Sequence, residues 1–183
     1  VQLPGVTALT ADVTDQTQVR NLVDEVIRTS GRLDALINLV GGFATGRLIE
    51  TEVSLWQRML TMNLTSAFLL SQAVLPSMLQ RGQGRIVHIA ARAALDPFAG
   101  AAAYIVSKTG VVGLIRTLSS ELEGSGVTVN AVLPSTIDTP ANRRAMPAAD
   151  TSKWARPDSI SRTLTFLASD AASQINGALI PIG

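Results

Sequence analysis

Tyr104 and Lys108 are the two side chains in this sequence whose types and spacing are best suited to chemistry. They stand four positions apart at the start of an apolar, helix-prone run, and residues at i and i+4 lie on one face of a helix. A phenol with a pKa near ~10 transfers protons poorly at neutral pH, whereas a nearby ammonium stabilises the phenolate and lowers that pKa. The pair therefore predicts a proton-transfer site, although a packed tyrosine beside a solvated lysine would show the same spacing.

The composition argues against most other kinds of site. The sequence has no cysteine and a single histidine, so thiolate chemistry, disulfides and a protein-bound metal ion are not expected. That histidine, His88, lies in the middle of a predicted strand, and we interpret it as a packed or hydrogen-bonded core residue. A net charge of +1 gives no electrostatic support for nucleic acid or an anionic membrane surface as a partner.

The distribution of apolar residues predicts a cytoplasmic protein without a membrane-spanning segment. Charged residues or glutamine interrupt every apolar run before it reaches the roughly 18 residues that a bilayer requires. The first residues lack the charged start and apolar centre of a signal peptide.

Apolar, β-favouring segments alternate with segments of helical periodicity along the whole sequence. Strands are predicted at 6–11, 35–40, 85–90, 127–133 and 178–182, and helices at 16–30, 52–79, 101–123 and 157–169. A loop at 91–100 and a longer polar loop at 135–156 separate the later elements. The alternation, with strands apolar on both faces, predicts a single α/β domain over residues 1–183, with a mainly parallel sheet covered by helices on both sides.

The unusual residues cluster where such sheets bind ligands, in the crevice at the carboxyl ends of the strands. Gly41-Gly42 follows one predicted strand, Ala90-Ala91 the next, and Pro134 to Thr139 the one after. Tyr104 and Lys108 enter the same region from the start of a helix.

These features, in this order, resemble the short-chain dehydrogenase/reductase family over essentially the whole chain. Asp12-Val13 looks like the family's acidic residue after the third strand, which contacts the adenine end of the cofactor. The segment from Asn38 to Gly41 resembles the Asn-Asn-Ala-Gly turn after the fourth strand, with Leu39 in place of the second Asn. Asn63 matches the long-helix Asn that helps to hold a proton-relay water.

The remaining motifs resemble the family's catalytic pair and its nicotinamide turn. Tyr104 and Lys108 match the pair, which implies that Tyr104 exchanges a proton with the substrate while Lys108 lowers its pKa and binds the nicotinamide ribose. Pro134, with the backbone at Ile137 and the side chain of Thr139, matches the turn that orients the carboxamide. The resemblance implies a doubly wound Rossmann-type fold, NAD or NADP as cofactor, hydride transfer to or from a small molecule, and a homodimer or homotetramer.

Ala91 departs from the family pattern, which usually has a serine thirteen residues before the tyrosine. Losing one such donor to a carbonyl substrate costs on the order of 10²–10³ in rate. Dihydropteridine reductases also carry alanine there, and the segments at 91–96 and 133–150, with Trp154, resemble that subgroup. We therefore expect a quinonoid dihydropterin as substrate, with a generic carbonyl or quinone reductase, or a catalytically impaired binding or scaffold protein, as alternatives.

The family's glycine-rich phosphate turn, and the residue that selects NAD or NADP, are not among the 183 residues. The resemblance places the first residues near the family's third strand, so we expect an N-terminally incomplete domain that lacks roughly 45 residues of the dinucleotide fold. The strand order that the resemblance implies then leaves the strand at 6–11 without a neighbour and makes the strand at 35–40 an unprotected edge. The preference for NAD or NADP is therefore not readable. The stretch from Arg143 to Trp154 is predicted to be a mobile substrate lid.

Overall fold

The computed structural model describes residues 4–183 and contains one sheet of four parallel strands. In chain order and in space the strands are β1 (Ala35–Asn38), β2 (Gly84–Ile89), β3 (Val127–Pro134) and β4 (Leu179–Ile182). Asn38 lies opposite His88, and Ile89 lies opposite Val132, so the carboxyl ends of the strands meet at one edge of the sheet. The predicted α/β fold with a parallel sheet is confirmed.

Residues 4–183 form six α-helices, of which the first precedes β1 and the others lie between the strands. They are α1 (Gln16–Ser30), α2 (Val53–Leu60), α3 (Ser66–Arg81), α4 (Ala102–Glu121), α5 (Pro140–Ala145) and α6 (Pro157–Leu167). The helix boundaries follow ordinary capping chemistry: the Asp15 carboxylate accepts hydrogen bonds from the first turn of α1, and Gly31 ends it with a φ of 76°. A single π-helical turn, Thr61–Thr65, joins α2 to α3 without a break in the helical path.

The core lies on both faces of the sheet. On one face, side chains of α3 and α4 such as Met78 and Ile115 pack against Ile86 and Val129 of the strands. On the other face, Leu164 and Leu167 of α6, with other apolar residues, pack against the sheet. Strands covered from both sides explain why the sequence is apolar at successive strand positions.

The first predicted strand is absent from the described sheet. Residues 6–11 pair with no strand in the part of the chain that the structure describes, and Val6 and Leu9 are exposed. A strand is stable only when its backbone groups find partners, and β1 pairs on one side alone, with β2. The strand β1 is thus the predicted edge of the sheet, but Ile37 is 40% exposed, so the strand is not buried on both faces as its apolar composition predicted.

The polar segment at 135–156 contains more structure than the predicted loop. It includes α5 and a short 3₁₀ turn, Thr151–Lys153, and Asp138 forms an ion pair with Arg143. Thr139 caps α5 by accepting a hydrogen bond from the backbone of Asn142. This structure depends on a helix cap and an ion pair between residues close in sequence, and hydrophobic periodicity does not indicate such contacts.

The helical stretch Val53–Arg81 is long and apolar enough to cross a membrane by length and composition. It is not an uninterrupted apolar run, because Gln57, Arg58 and Gln72 fall within it, as the sequence-based expectation states. Buried residues make up 44% of that window, since α3 packs against α1 and the sheet. Core helices of soluble proteins meet the same criterion.

Candidate active site

Lys108 lies buried beneath the carboxyl edge of the sheet. It belongs to the second turn of α4, and its Nζ donates a hydrogen bond to the backbone carbonyl of Ile89, the last residue of β2, over 2.8 Å. Burial lowers the pKa of Lys108 from 10.5 to about 8, because an ammonium loses its hydration there. The hydrogen bond to Ile89 therefore fixes the position of the ammonium, and the lowered pKa means that Lys108 loses its proton at a lower pH than a solvated lysine does.

Tyr104 occupies the first turn of the same helix. Its ring meets the ring of Phe43 edge to face, with centroids 4.8 Å apart and planes inclined by 81°. Burial raises the pKa of Tyr104, because the phenolate is less well solvated than in water. The predicted lowering by Lys108 is therefore wrong for the protein without its cofactor: desolvation outweighs a lysine whose ammonium is directed at a carbonyl.

Asn63 clamps the turn that follows β1. It lies in the π-helical turn, where its Oδ1 accepts the backbone N–H of Gly42 over 2.8 Å and its Nδ2 donates to the Gly42 carbonyl over 3.1 Å. The second N–H of its amide donates to Ser107 Oγ over 2.9 Å. Both amide hydrogens are thus in use, so a relay water at Asn63, as predicted, would need the backbone carbonyl rather than the amide hydrogens.

Ser107 connects this clamp to the catalytic helix. Its hydroxyl accepts from Asn63 and donates to the backbone carbonyl of Tyr104 over 2.7 Å. The residue is completely buried. One short side chain therefore holds the first turn of α4 against the turn after β1.

Gly41 and Gly42 permit a very close approach of backbone to these side chains. A Cβ at Gly41 would lie 2.9 Å from Asn63 Oδ1 and 3.0 Å from Lys108 Nζ, and one at Gly42 would lie 2.4 Å from the Met62 sulfur. Real Cβ atoms do not come so near without displacing their neighbours. A side chain at either position would therefore displace Asn63, Lys108 or Met62, and the backbone of Gly41 lies against the ammonium.

Asn38 is buried at the end of β1, and its amide is engaged inside the protein. Its Oδ1 accepts the backbone N–H of Val40 over 3.0 Å, and its Nδ2 lies 3.1 Å from His88 Nδ1. This arrangement favours a role in shaping the turn over direct contact with a cofactor. His88 is fully buried and hydrogen-bonded, which confirms its interpretation as a core histidine.

Ala91 follows β2 and begins a 3₁₀ turn, Arg92–Ala94, in extended conformation. It is buried at the same edge of the sheet as Lys108 and Ile89. A methyl group therefore occupies the position at which the resemblance implies a serine hydroxyl.

The predicted nicotinamide residues lie at the end of β3, the neighbouring strand. Pro134 is its last residue and pairs with Ile182 of β4. The carbonyl of Ile137 accepts from Asn142 Nδ2, while Thr139 accepts the Asn142 backbone N–H at the start of α5. The structure thus places these residues on the same edge of the sheet as Lys108.

The predicted adenine residues lie before α1. Asp12 is exposed, and its carboxylate accepts two hydrogen bonds from Thr14, which lower its pKa. Val13 is partly buried and packs against the Val19–Leu69–Leu70 cluster. Their contact with a cofactor stays a prediction.

Sequence reasoning missed the residues that hold the site together. Ser107 and Ser71 carry no distinctive motif, although Ser107 lies three residues after Tyr104, on a neighbouring position of the helix surface. The contact of Phe43 with Tyr104 could be seen only in the folded chain. These contacts join residues far apart in sequence, which periodicity does not reveal.

A parallel sheet that presents a phenol and an ammonium at its carboxyl edge, beside a tightly held glycine turn, belongs to the nucleotide-binding α/β enzymes. Comparison with known proteins narrows that class. The chain belongs to the short-chain dehydrogenase/reductase family, since the family model described as enoyl-(acyl carrier protein) reductase matches residues 2–182. The predicted Rossmann-type fold and the prediction of an NAD(P)-dependent oxidoreductase are confirmed.

Individual relatives agree with this assignment. The 3-oxoacyl-[acyl-carrier-protein] reductase of Thermotoga maritima is 31% identical over 189 residues, covering 98% of this chain and 77% of the relative. The D-threitol dehydrogenase of Mycolicibacterium smegmatis is 38% identical over 176 residues, covering 91% and 68%. The solved structure of ElxO with NADP bound superposes with a TM-score of 0.90 at 25% identity, covering 96% and 76%. The dihydropteridine-reductase-like subgroup stays a prediction.

Proposed function

We propose that this chain carries the catalytic residues of an NAD(P)(H)-dependent reductase of a small molecule, with Tyr104 as the proton donor or acceptor. The supporting observation is that Tyr104 and Lys108 lie one turn apart on α4, with Lys108 Nζ anchored 2.8 Å from the Ile89 carbonyl. Because burial raises the pKa of Tyr104, the phenol stays protonated at neutral pH. That state suits proton donation in the direction of reduction.

The polar groups left free around the site fit a nicotinamide nucleoside. The Ile89 carbonyl takes one of the three N–H groups of Lys108, so two are available for ribose hydroxyls. Within residues 4–183 the backbone N–H of Ile137 and the hydroxyl hydrogen of Thr139 have no acceptor, which suits them to a carboxamide. When bound, the nicotinamide supplies or accepts the hydride.

The backbone of the glycine turn supports the same assignment. The lack of a side chain at Gly41 lets its backbone lie directly against Asn63 and Lys108, the two side chains proposed to line the nicotinamide site. Asp12 and Val13 are assigned to the adenine end of either NAD or NADP.

For the substrate, we propose a quinonoid dihydropterin. Ala91 offers no hydroxyl to polarise a carbonyl, and an electron-poor pterin ring accepts hydride without that help. A generic carbonyl or quinone reductase is the second candidate, and it is consistent with the keto and polyol substrates named for the two relatives above. The Phe43 ring, 59% exposed and in contact with Tyr104, gives either planar substrate an aromatic neighbour.

The central experiment compares the natural protein with Tyr104→Phe. Fluorescence titration with NADH and NADPH measures cofactor affinity, and loss of reduced-nicotinamide absorbance measures turnover of a dihydropterin, a quinone and a ketone. We expect Tyr104→Phe to lower kcat by about 10²–10⁴-fold, with cofactor affinity nearly unchanged, because only the proton donor is removed. Equal turnover by the variant would refute the role of Tyr104.

The same titration separates an enzyme from a binding protein. No fluorescence change with either NADH or NADPH would favour the scaffold alternative. Cofactor binding without turnover of any of the three substrates would support the cofactor site and contradict the substrate proposal. Faster turnover of the ketone than of the dihydropterin would favour the generic reductase.

We further propose that the protein works in the cytoplasm as a homodimer or homotetramer. Phe68 of α3 and Val106 of α4 are 44% and 46% exposed, which is high for large apolar side chains on long helices. Apolar side chains exposed on two helices that pack on the same face of the sheet suit a symmetric contact with a second copy.

A further inference from the structure

His88 is completely buried, yet the proposed reaction gives it no task. It lies in β2, directly opposite Asn38 of β1 and immediately before Ile89, whose carbonyl binds Lys108. Its Nδ1 lies 3.1 Å from Asn38 Nδ2, and its Nε2 lies 2.9 Å from Ser71 Oγ of α3. The imidazole therefore bridges the strand that leads into the glycine turn and the helix that follows the π-helical turn.

The direction of every hydrogen bond in this bridge follows from its two ends. Ser71 donates its only hydroxyl hydrogen to the Ala67 carbonyl over 2.8 Å, so it can only accept from His88 Nε2–H. Asn38 Oδ1 accepts from the Val40 backbone, so its amide presents N–H to His88 Nδ1, which must be unprotonated. The neutral imidazole with hydrogen on Nε2 is thus the form that satisfies all partners.

Protonation of His88 would put an N–H on Nδ1 facing the N–H of Asn38 Nδ2, so that two donors would face each other. Burial, with a smaller contribution from the charge of Lys108, lowers the pKa of His88 to about 4, so the neutral form persists throughout the working range. The bridge is therefore permanent at neutral pH.

The bridge ends on the turn that forms the candidate active site. Asn38 holds the backbone N–H of Val40, and two residues later Asn63 holds both backbone groups of Gly42. Gly41 lies between these two anchors, against Lys108 Nζ. Releasing either anchor would free the backbone that faces the ammonium.

We propose that His88 is a positioning residue: acting through Asn38, it fixes the turn at residues 40–42 against Lys108 and thereby shapes the nicotinamide end of the cofactor site. The proposal rests on the proposed function for its consequence in catalysis, but its structural part concerns the turn alone. The contact of Nδ1 with Asn38 positions the turn, and the hydrogen bond of Nε2 to Ser71 fixes the tautomer of His88.

Two conservative variants separate this role from core packing, because each keeps one of the two hydrogen bonds of His88. In His88→Asn the amide oxygen takes the place of Nδ1 and still accepts from Asn38. In His88→Gln the longer amide takes the place of Nε2 and still donates to Ser71. Ile86→Ala, a cavity variant at a buried position of the same strand and face, controls for general loss of stability.

The first readout is amide hydrogen exchange at Val40 and Gly42, which needs neither cofactor nor activity. We expect exchange at both amides to quicken on the order of tenfold in His88→Gln, the effect of losing one hydrogen bond, and to change much less in His88→Asn and Ile86→Ala. Slow exchange in His88→Gln, or the same acceleration in all three variants, would overturn the proposal.

The second readout is cofactor binding and turnover. His88→Gln should raise the Kd for the reduced nicotinamide cofactor and lower kcat, while His88→Asn should restore both toward the values of the natural protein. If the natural protein binds no cofactor, the proposed function fails, and the exchange data still decide whether His88 holds the turn. If the exchange pattern is as expected but Kd and kcat are unchanged, the turn is not part of the cofactor site and the catalytic half of the proposal is wrong.

Discussion

The buried charge of Lys108 lowers the free energy of unfolding of the protein. Because burial lowers its pKa from 10.5 to about 8, the folded protein releases the lysine proton at lower pH than the unfolded chain does. Below pH 8 Lys108 is protonated in both the folded and the unfolded state, and its destabilising effect is largest. Between pH 8 and 10.5 the unfolded chain binds more protons than the folded one, so the free energy of unfolding rises with pH.

Lys108→Met removes this titration and makes the prediction testable. The free energy of unfolding of the natural protein, relative to that of the variant, should increase by about 3 kcal/mol between pH 7 and 10.5. Urea denaturation of both proteins across this range measures the difference, and other titrating groups cancel because both proteins contain them. A difference independent of pH would show that Lys108 is not desolvated.

Ala91 makes a second residue-scale prediction. Ala91→Ser introduces a hydroxyl at the end of β2, beside the edge of the sheet that holds Lys108. We expect kcat/KM for a simple ketone to rise on the order of 10²-fold, since the new donor can stabilise the developing oxyanion, with little change for a dihydropterin. Steady-state kinetics with both substrates provide the test, and an unchanged ketone rate would mean that position 91 does not face the substrate.

At the residue scale the sequence predicted which residues belong to the candidate site better than it predicted the contacts that they make. Tyr104 and Lys108 could be found because helical spacing is local, and they do share α4. The raised pKa of Tyr104 could not be predicted, since it depends on how deeply the phenol is buried and on where the Lys108 ammonium is directed. The contacts of Asn63 with Gly42 and Ser107 span 21 and 44 residues, so no local pattern encodes them.

At the scale of elements, α4 is built around two glycines with opposite surroundings. A Cβ at Gly110 would lie 2.7 Å from the Leu64 side chain, whereas a Cβ at Gly113 would meet nothing within 4 Å. Leu64 belongs to the π-helical turn that carries Asn63. Gly110 therefore lets α4 pack closely on the segment that clamps the site.

Alanine substitutions at these two glycines should change stability in opposite directions. Gly113→Ala should raise the free energy of unfolding by about 0.5–1 kcal/mol, because alanine favours the helix and nothing obstructs it. Gly110→Ala should lower it and reduce turnover, because Leu64 must move and takes Asn63 with it. Thermal or urea unfolding with parallel kinetics tests the pair, and stabilisation by both substitutions would contradict this account of the packing.

The helix that contains the π-helical turn shows the limit of prediction for elements. Hydrophobic periodicity indicated one long helix at 52–79, and the observed path Val53–Arg81 is close to it. It could not indicate the wider turn at Thr61–Thr65, which inserts one residue and aims Asn63 at the glycine turn. Such turns often occur at functional sites, and their geometry follows from tertiary contacts.

At the scale of the whole molecule, the sequence predicted the layers and the edge position of β1, but it also predicted a strand at 6–11 that does not form. The alternation of strands and helices was sufficient for a parallel sheet covered on both faces. Residues 6–11 have strand-forming composition, but a strand needs a partner, and none lies beside them in the described chain. Ile37 of β1 and Leu39, which follows the strand, are exposed, since β1 pairs on one side alone within the described residues.

The exposed apolar side chains of α3 and α4 lead to the last prediction, which concerns assembly. Phe68→Glu places a charge on an apolar surface, and burying that carboxylate between subunits without a partner would be unfavourable. We expect light scattering after size exclusion to report a lower molecular mass for Phe68→Glu than for the natural protein, with the same shift for Val106→Glu. Phe68→Leu, which keeps the surface apolar, should retain the natural mass. An unchanged mass for both glutamate variants would mean that these helix faces do not contact a second copy, and the proposed oligomer would then require another surface.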